Sequence, residues 1–145
     1  MIQFDEAQKI VMSYVKELPA ENTGLLESLN RVLALDILSD IDMPPFDKSA
    51  MDGYACRRAD ILSDLDVIEV VVAGRLPEKE IGPGECAKIM TGAKVPAGAD
   101  CVLMIEQTEI TPEGKVRFKN KTTDDNIAYR GQDVRTGETM LKKGT

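Results

Sequence analysis

The chain has 145 residues, of which 43% are hydrophobic and 30% charged, a composition that suits one globular domain or two small lobes. Its net charge of -7, with Lys and Arg interspersed among acidic residues, argues against nucleic acid or an acidic membrane surface as a partner. The absence of histidine excludes Ser-His-Asp and Cys-His catalysis and His-ligated zinc, so any chemistry must use carboxylates, Arg, Lys, hydroxyls, amides or an oxygen-ligated metal.

The first segment is predicted to be helical, and a short mixed segment follows it. Apolar residues recur at three- and four-residue spacing over 4–18, which predicts one amphipathic helix that packs through its apolar face and ends before Pro19. Residues 25–38 are expected to form a helical turn and then a strand over 34–38. Asn30 could end the turn in a left-handed conformation, which Asn tolerates better than most residues.

Residues 42–54 break this periodicity, and the chain after them is β-like. Pro44 and Pro45 fix φ and lack amide donors, so 42–54 is predicted to be a stiffened loop rather than a strand. Strands are predicted over 67–73, 85–90, 101–108, 116–119 and 139–141, with a hairpin loop at 111–115. Short strands with frequent turns indicate an α+β fold that is mainly β, with a compact barrel-like lobe. Residues 142–145 resemble a turn, from which we expect a longer parent protein.

The cysteines and the apolar runs indicate the cellular compartment of the protein. Cys56, Cys86 and Cys101 are odd in number and form no Cys-x-x-Cys pair, so neither a disulfide framework nor a zinc knuckle is indicated. We expect them to be small buried residues in a reducing cytosol. No secretory signal is visible and no apolar run is long enough to cross a bilayer, which predicts a cytoplasmic protein.

The proline-stiffened loop is the first candidate site. Asp47, Lys48, Ser49 and Asp52 place two carboxylates, an ammonium and a hydroxyl within six residues. A stiff scaffold holds such groups in place before a substrate arrives, which catalysis favours. The alternative is purely structural, because Asp-Gly pairs favour turns through local hydrogen bonds alone.

Two further segments could bind anions. Thr91 and Gly92 follow a predicted strand, where a hydroxyl and exposed amides could hold an oxyanion such as phosphate or molybdate. Arg130 could form two parallel hydrogen bonds to a phosphate or a carboxylate, with Asp133 orienting it. The alternatives are an ordinary strand-to-turn exit at Thr91 and a weak surface ion pair at Arg130.

Taken together, these segments resemble the molybdopterin molybdenumtransferases, whose pattern the related domain of gephyrin shares. The resemblance covers essentially the whole chain and is most specific in the Ser-Ala-Met-Asp-Gly-Tyr run. It rests on Phe46-Asp-x-Ser-Ala-Met-Asp-Gly-Tyr-Ala55, Ile89-Met-Thr-Gly-Ala93, Arg130-Gly-x-Asp133 and Asn30-Arg-Val-Leu-Ala34. The chain departs from the family in Asn30, where Gly is usual, in Gln132, where Glu is common, and in Tyr129, where a basic residue is frequent.

For the fold, the resemblance implies an elongated homodimer of two-lobed chains. Residues 1–42, completed by 134–145, would form a mixed linker and dimerisation lobe that carries the N-terminal helix. Residues 43–133 would form the β-rich lobe that carries the site. A downstream α/β domain, absent from these 145 residues, would hold much of the pterin and molybdate pocket, so the fragment alone is expected to be inactive.

For function, the resemblance implies an enzyme of molybdenum cofactor biosynthesis that inserts molybdate into adenylylated molybdopterin and releases AMP, assisted by Mg²⁺. It assigns Asp52 and Thr91 as catalytic, with Asp52 also a magnesium ligand. It assigns a substrate-binding role to Arg130, Asp133, Asp47 and Ser49. The alternative is a non-catalytic module for dimerisation or scaffolding.

Electrostatics limits what Asp52 could do beside an anionic substrate. A bare carboxylate about 4 Å from a negative charge is repelled by roughly 4 kcal/mol at an effective dielectric constant near 20. Asp52 is therefore productive either with a cation between it and the substrate or as a base acting through water. The sequence leaves both roles open.

Overall fold

The computed structural model describes residues 2–145, which contain one α-helix and ten short strands. The helix, α1, spans Phe4–Ser13. The strands are β1 Ile37–Leu38, β2 Lys48–Ser49, β3 Gly53–Cys56, β4 Asp66–Val71, β5 Glu85–Ile89, β6 Cys101–Met104, β7 Thr108–Ile110, β8 Val116–Phe118, β9 Ile127–Ala128 and β10 Thr139–Leu141. The α+β class with mainly β structure is confirmed.

Chain contacts define two compact units. One consists of the residues up to Ile37 together with Leu141–Thr145, and the other of Leu38–Met140. In the first unit, the amide of Leu33 donates to the carbonyl of Thr145 and the amide of Gly144 donates to the carbonyl of Leu33, each over 2.9 Å. The second unit contains every residue considered below as part of a site.

Helix α1 is shorter than predicted and leaves its apolar side chains exposed. It ends at Ser13, with Tyr14 as its C-cap, and none of its residues is buried. Phe4 and Tyr14 are each 79% exposed and Val11 is 65% exposed. An amphipathic helix normally packs its apolar face against another apolar surface. No part of residues 2–145 covers this face, so the expected packing is not found there. Asn30 has a φ of 65°, as predicted.

The second unit is built on a four-stranded sheet with the order β4-β5-β3-β6. Strand β3 is antiparallel to β5 and β6, while β4 and β5 are parallel. Alternate residues of β3 face two apolar clusters: Tyr54 and Cys56 join the cluster of Leu65 and Leu103, whereas Ala55 joins the other. All four β3 residues are buried, so the prediction of a loop through residue 54 was wrong. A strand buried on both faces has no polar-apolar alternation to reveal it.

The stretch 101–108 also differs from its prediction as a single strand. Strand β6 ends at Met104, a 3₁₀ turn spans Ile105–Gln107, and β7 then pairs antiparallel with β8. The predicted hairpin loop between β7 and β8 is confirmed, with Gly114 at a φ of 82°.

The three cysteines are buried and free, as predicted. Cys56 and Cys101 are directly opposite each other on β3 and β6, and their Sγ atoms are 3.8 Å apart. Burial raises the pKa of the Cys86 thiol to about 12, so its reactive thiolate form is scarce at neutral pH. Within residues 2–145, no helix combines the length and the apolar character needed to span a membrane.

Candidate functional site

Asp52 and Thr91 meet at one edge of the four-stranded sheet. Asp52 directly precedes β3 and Thr91 follows β5, and the antiparallel pairing of Gly53 with Ile89 brings these two chain ends together. The backbone N–H and the Oγ1 hydroxyl of Thr91 both donate to Asp52 Oδ1, each over 2.7 Å. The amide of Ile105 donates to the Asp52 carbonyl over 3.0 Å, which anchors the same turn to the chain after β6.

The Asp52 carboxylate is exposed to solvent rather than enclosed in the sheet. Hydrogen bonds from the side chain and then the backbone of Thr91 hold its pKa below the ordinary value of an aspartate. Asp52 is thus ionised throughout the neutral range and is a weak proton acceptor there. Its Oδ2 atom accepts no hydrogen bond from residues 2–145 and remains open to a ligand.

Replacing Thr91 by valine is expected to raise the pKa of Asp52 toward the ordinary aspartate value. The hydroxyl that stabilises the carboxylate is lost, while the backbone donor is kept. Because the folded-state pKa of Asp52 is depressed, the stabilisation that Thr91 gives is present above the unfolded pKa and disappears as pH falls through the folded one. An NMR titration of the Asp52 carboxyl carbon measures this shift. Thr91→Ser keeps the hydroxyl and should titrate like the unaltered chain, and equal titration of all three would contradict the assignment.

Ser49 braces the loop that leads to Asp52. It is buried, and its hydroxyl donates to the Met51 carbonyl over 2.5 Å. Its amide donates to the Ala93 carbonyl over 2.9 Å, and its carbonyl accepts from the Gly92 amide over 2.8 Å. These contacts tie the Ser49 loop to the Thr91 turn, and they commit the Ser49 hydroxyl to the protein.

Arg130 is held from two sides by the start of the proline-stiffened segment. Asp47 Oδ1 accepts from the Arg130 amide over 2.8 Å, and Asp42 Oδ2 accepts from Arg130 Nε over 2.7 Å. Asp42 Oδ1 also accepts from the amide and the hydroxyl of Thr136, over 2.9 and 3.0 Å. The Thr136 amide and then the Arg130 side chain lower the pKa of Asp42. The Arg130 side chain is 67% exposed, and its two Nη atoms have no protein partner within residues 2–145.

The expectation that Asp133 orients Arg130 was wrong, because Asp42 holds its Nε atom instead. The Asp133 amide donates to the Met43 carbonyl over 2.9 Å, and its exposed carboxylate accepts no hydrogen bond from residues 2–145. Sequence analysis missed Asp42, which lies 88 positions from Arg130. The available signal was its place at the start of the Asp42-Met-Pro-Pro segment.

A divalent cation could be held through Asp52 but not by a cage of protein ligands. Residues 2–145 contain no group of three or more acidic, Cys or His side chains arranged around a common metal position. Mg²⁺ commonly keeps several waters and binds through one or two carboxylates together with substrate phosphates. One ionised, exposed carboxylate with an unused oxygen fits that ligand set.

Comparison with known proteins gives a consistent result. The family described as the MoeA N-terminal region (domain I and II) matches residues 2–145. The chain is 39% identical over 155 aligned residues to the molybdopterin molybdenumtransferase of Bacillus subtilis (strain 168) and 38% identical over 151 to that of Staphylococcus aureus (strain Mu50). Each alignment covers 99% of this chain but 36% of the relative, so the chain spans about a third of the length of these proteins.

A solved structure shares the fold. The crystal structure of the molybdopterin biosynthesis moeA protein from Pyrococcus horikoshii OT3 superposes with a TM-score of 0.86 at 35% sequence identity. The match covers 99% of this chain and 40% of the archaeal one. A fold that is mostly sheet with one helix is therefore shared with a MoeA protein of known structure.

Proposed function

This chain belongs to the family of MoeA N-terminal regions, and on that premise we propose that its complete protein is a molybdopterin molybdenumtransferase. That enzyme inserts molybdate into adenylylated molybdopterin and releases AMP, in the cytoplasm, as a step of molybdenum cofactor biosynthesis. The observation that carries the proposal is the exposed, ionised Asp52 clamped by Thr91 at the sheet edge. A protein that only scaffolds has no need of such a group.

The lowered pKa of Asp52 favours the ligand role over the base role. A general base works best when its pKa lies near the operating pH, whereas the Thr91 hydrogen bonds move that of Asp52 in the opposite direction. Bound Mg²⁺ would supply positive charge between Asp52 and the anionic groups of the substrate. Thr91 fixes the carboxylate through Oδ1 and leaves Oδ2 for that contact.

Substrate binding is assigned to Asp47 and Ser49 on the proline-stiffened segment and to Arg130 and Asp133, which lie later in the chain. Arg130 offers two free Nη atoms to a phosphate or carboxylate, and Asp47 fixes its backbone. Asp133 lies three positions beyond Arg130 with an unpaired carboxylate, which suits a hydrogen-bond donor of the pterin. Ser49 contributes indirectly, since its hydroxyl holds the loop that carries Asp52.

Assembly into a homodimer is part of the proposal. Residues 1–42, with 134–145, would form the dimerisation lobe, and residues 43–133 the lobe that carries the site. The exposed apolar side chains of α1, among them Phe4, Val11 and Tyr14, support an association role. The same exposed side chains favour the second candidate function, a non-catalytic scaffolding module.

A reconstitution assay separates the two functions. The complete purified protein, given adenylylated molybdopterin, molybdate and Mg²⁺, is expected to release AMP and yield molybdenum cofactor. The 145-residue chain alone should yield neither, because the later domain completes the pocket. Sedimentation of the active species should show a dimer. Absence of AMP release from a folded, dimeric complete protein would leave scaffolding as the function, and an active monomer would contradict the proposed homodimer.

A further inference from the structure

Lys48 and Lys94 form a closely paired set of positive charges that the site described above does not use. They are directly opposite each other in an antiparallel bridge. The amide of Ser49 donates to the Ala93 carbonyl and the amide of Val95 donates to the Asp47 carbonyl, each over 2.9 Å. These bonds flank the lysine pair on both sides, which makes it a non-hydrogen-bonded pair. In that arrangement the Cα atoms are only about 4.5 Å apart and the side chains share one face.

The two ammonium groups are not neutralised by the protein. Neither forms an ion pair or a side-chain hydrogen bond with residues 2–145, although the chain as a whole carries a net charge of -7. The nearest carboxylates along the chain each use one oxygen for another partner: Asp47 Oδ1 accepts from the Arg130 amide, and Asp52 Oδ1 accepts from Thr91. Like charges at directly opposed positions are destabilising, so this arrangement stores repulsion that a bound anion would relieve.

The lysine pair is connected to the Thr91 turn through Ser49, whose carbonyl accepts from the Gly92 amide over 2.8 Å. Lys94 lies three residues after Thr91, beyond a tight turn in which the Ala93 amide donates to the Met90 carbonyl over 3.0 Å and Gly92 has a φ of 80°. Both lysines are half-buried, and lysines of this kind commonly lay their aliphatic stems on the protein and keep the ammonium group in water.

We propose that Lys48 and Lys94 bind a tetrahedral oxyanion with two negative charges, of the phosphate or molybdate type. Three oxygens of such an anion can accept from two ammonium groups on one face, and its charge matches the pair. Its place in the reaction, as a second subsite for a substrate phosphate or for incoming molybdate, rests on the proposed function. Binding of the anion itself does not.

Titration calorimetry on the complete protein tests the pair, with inorganic phosphate and molybdate as separate probes at low ionic strength. Lys48→Gln and Lys94→Gln should each raise the dissociation constant about tenfold, because each substitution removes one positive charge near the anion. The double variant should raise it about a hundredfold. Lys48→Arg with Lys94→Arg keeps both charges and should bind within roughly threefold of the unaltered protein. Whichever probe binds more tightly identifies the substrate group.

Lys88→Gln is the matched control. Lys88 is also half-buried and unpaired, but its sheet partners are Tyr54 and Val70 rather than another lysine. Three outcomes would overturn the inference. The double Gln variant could bind the anion as tightly as the unaltered protein, or Lys88→Gln could lose as much anion affinity as the lysine-pair variants. The third outcome is that neither probe binds at millimolar concentration. If the lysine-dependent binding is found but no molybdenum is transferred, the proposed function fails and the oxyanion site stands.

Discussion

Replacing Asp52 by asparagine in the complete protein is expected to lower the rate of molybdenum insertion by about a hundredfold or more while leaving the fold intact. Asparagine keeps an oxygen that accepts from the Thr91 amide and hydroxyl, so the turn retains its hydrogen bonds. It removes the negative charge, and with it the oxygen that a divalent cation would bind. The measurement is AMP release over a range of Mg²⁺ concentrations, with circular dichroism to establish folding.

Asp124→Asn is the matched control for this substitution. Asp124 is exposed and its carboxylate has no ion pair within residues 2–145, so its loss should leave turnover unchanged. An Asp52 effect that vanishes at high Mg²⁺ would mean that the carboxylate contributes only cation affinity. Turnover of Asp52→Asn that is unchanged at every Mg²⁺ concentration would remove this residue from the mechanism.

Replacing Gly53 by alanine is expected to destabilise the protein by about 3 kcal/mol or more. Gly53 begins β3, between β5 and β6, and a Cβ there would overlap the carbonyl oxygen of Leu103. The obstacle is backbone in the middle of a buried sheet, which cannot rotate away as a flexible side chain could, so the strands must separate. The free energy of unfolding from urea denaturation measures the loss.

Gly114→Ala is the control that separates steric crowding from the cost of a positive φ when glycine is replaced. Gly114 has a φ of 82° in the β7–β8 loop, and an added Cβ would have open space around it. Its substitution should cost only about 1 kcal/mol, the price of a left-handed conformation for an L-residue. Equal destabilisation by the two substitutions would show that close approach to Leu103 is not the reason for glycine at position 53.

Local pattern was enough where an element depends on its own residues. The start of α1, the strand at Glu85–Ile89 and the loop before Val116 follow from periodicity and turn residues. It failed at Gly53–Cys56, because burial on both faces removes the alternation by which a strand is recognised. It overextended α1, since an apolar stripe shows where a helix could pack and not where its backbone stops.

The chemical repertoire follows from amino-acid order alone: a chain without histidine, with carboxylates, an arginine and a threonine in segments that identify the family. Which of these groups are neighbours depends on how the strands pair. Thr91 clamps Asp52 across 39 positions because β3 and β5 are antiparallel, and Asp42 rather than Asp133 holds Arg130. Strand pairing joins residues that are distant along the chain. The partners of their charges and hydrogen bonds therefore cannot be assigned from linear order alone.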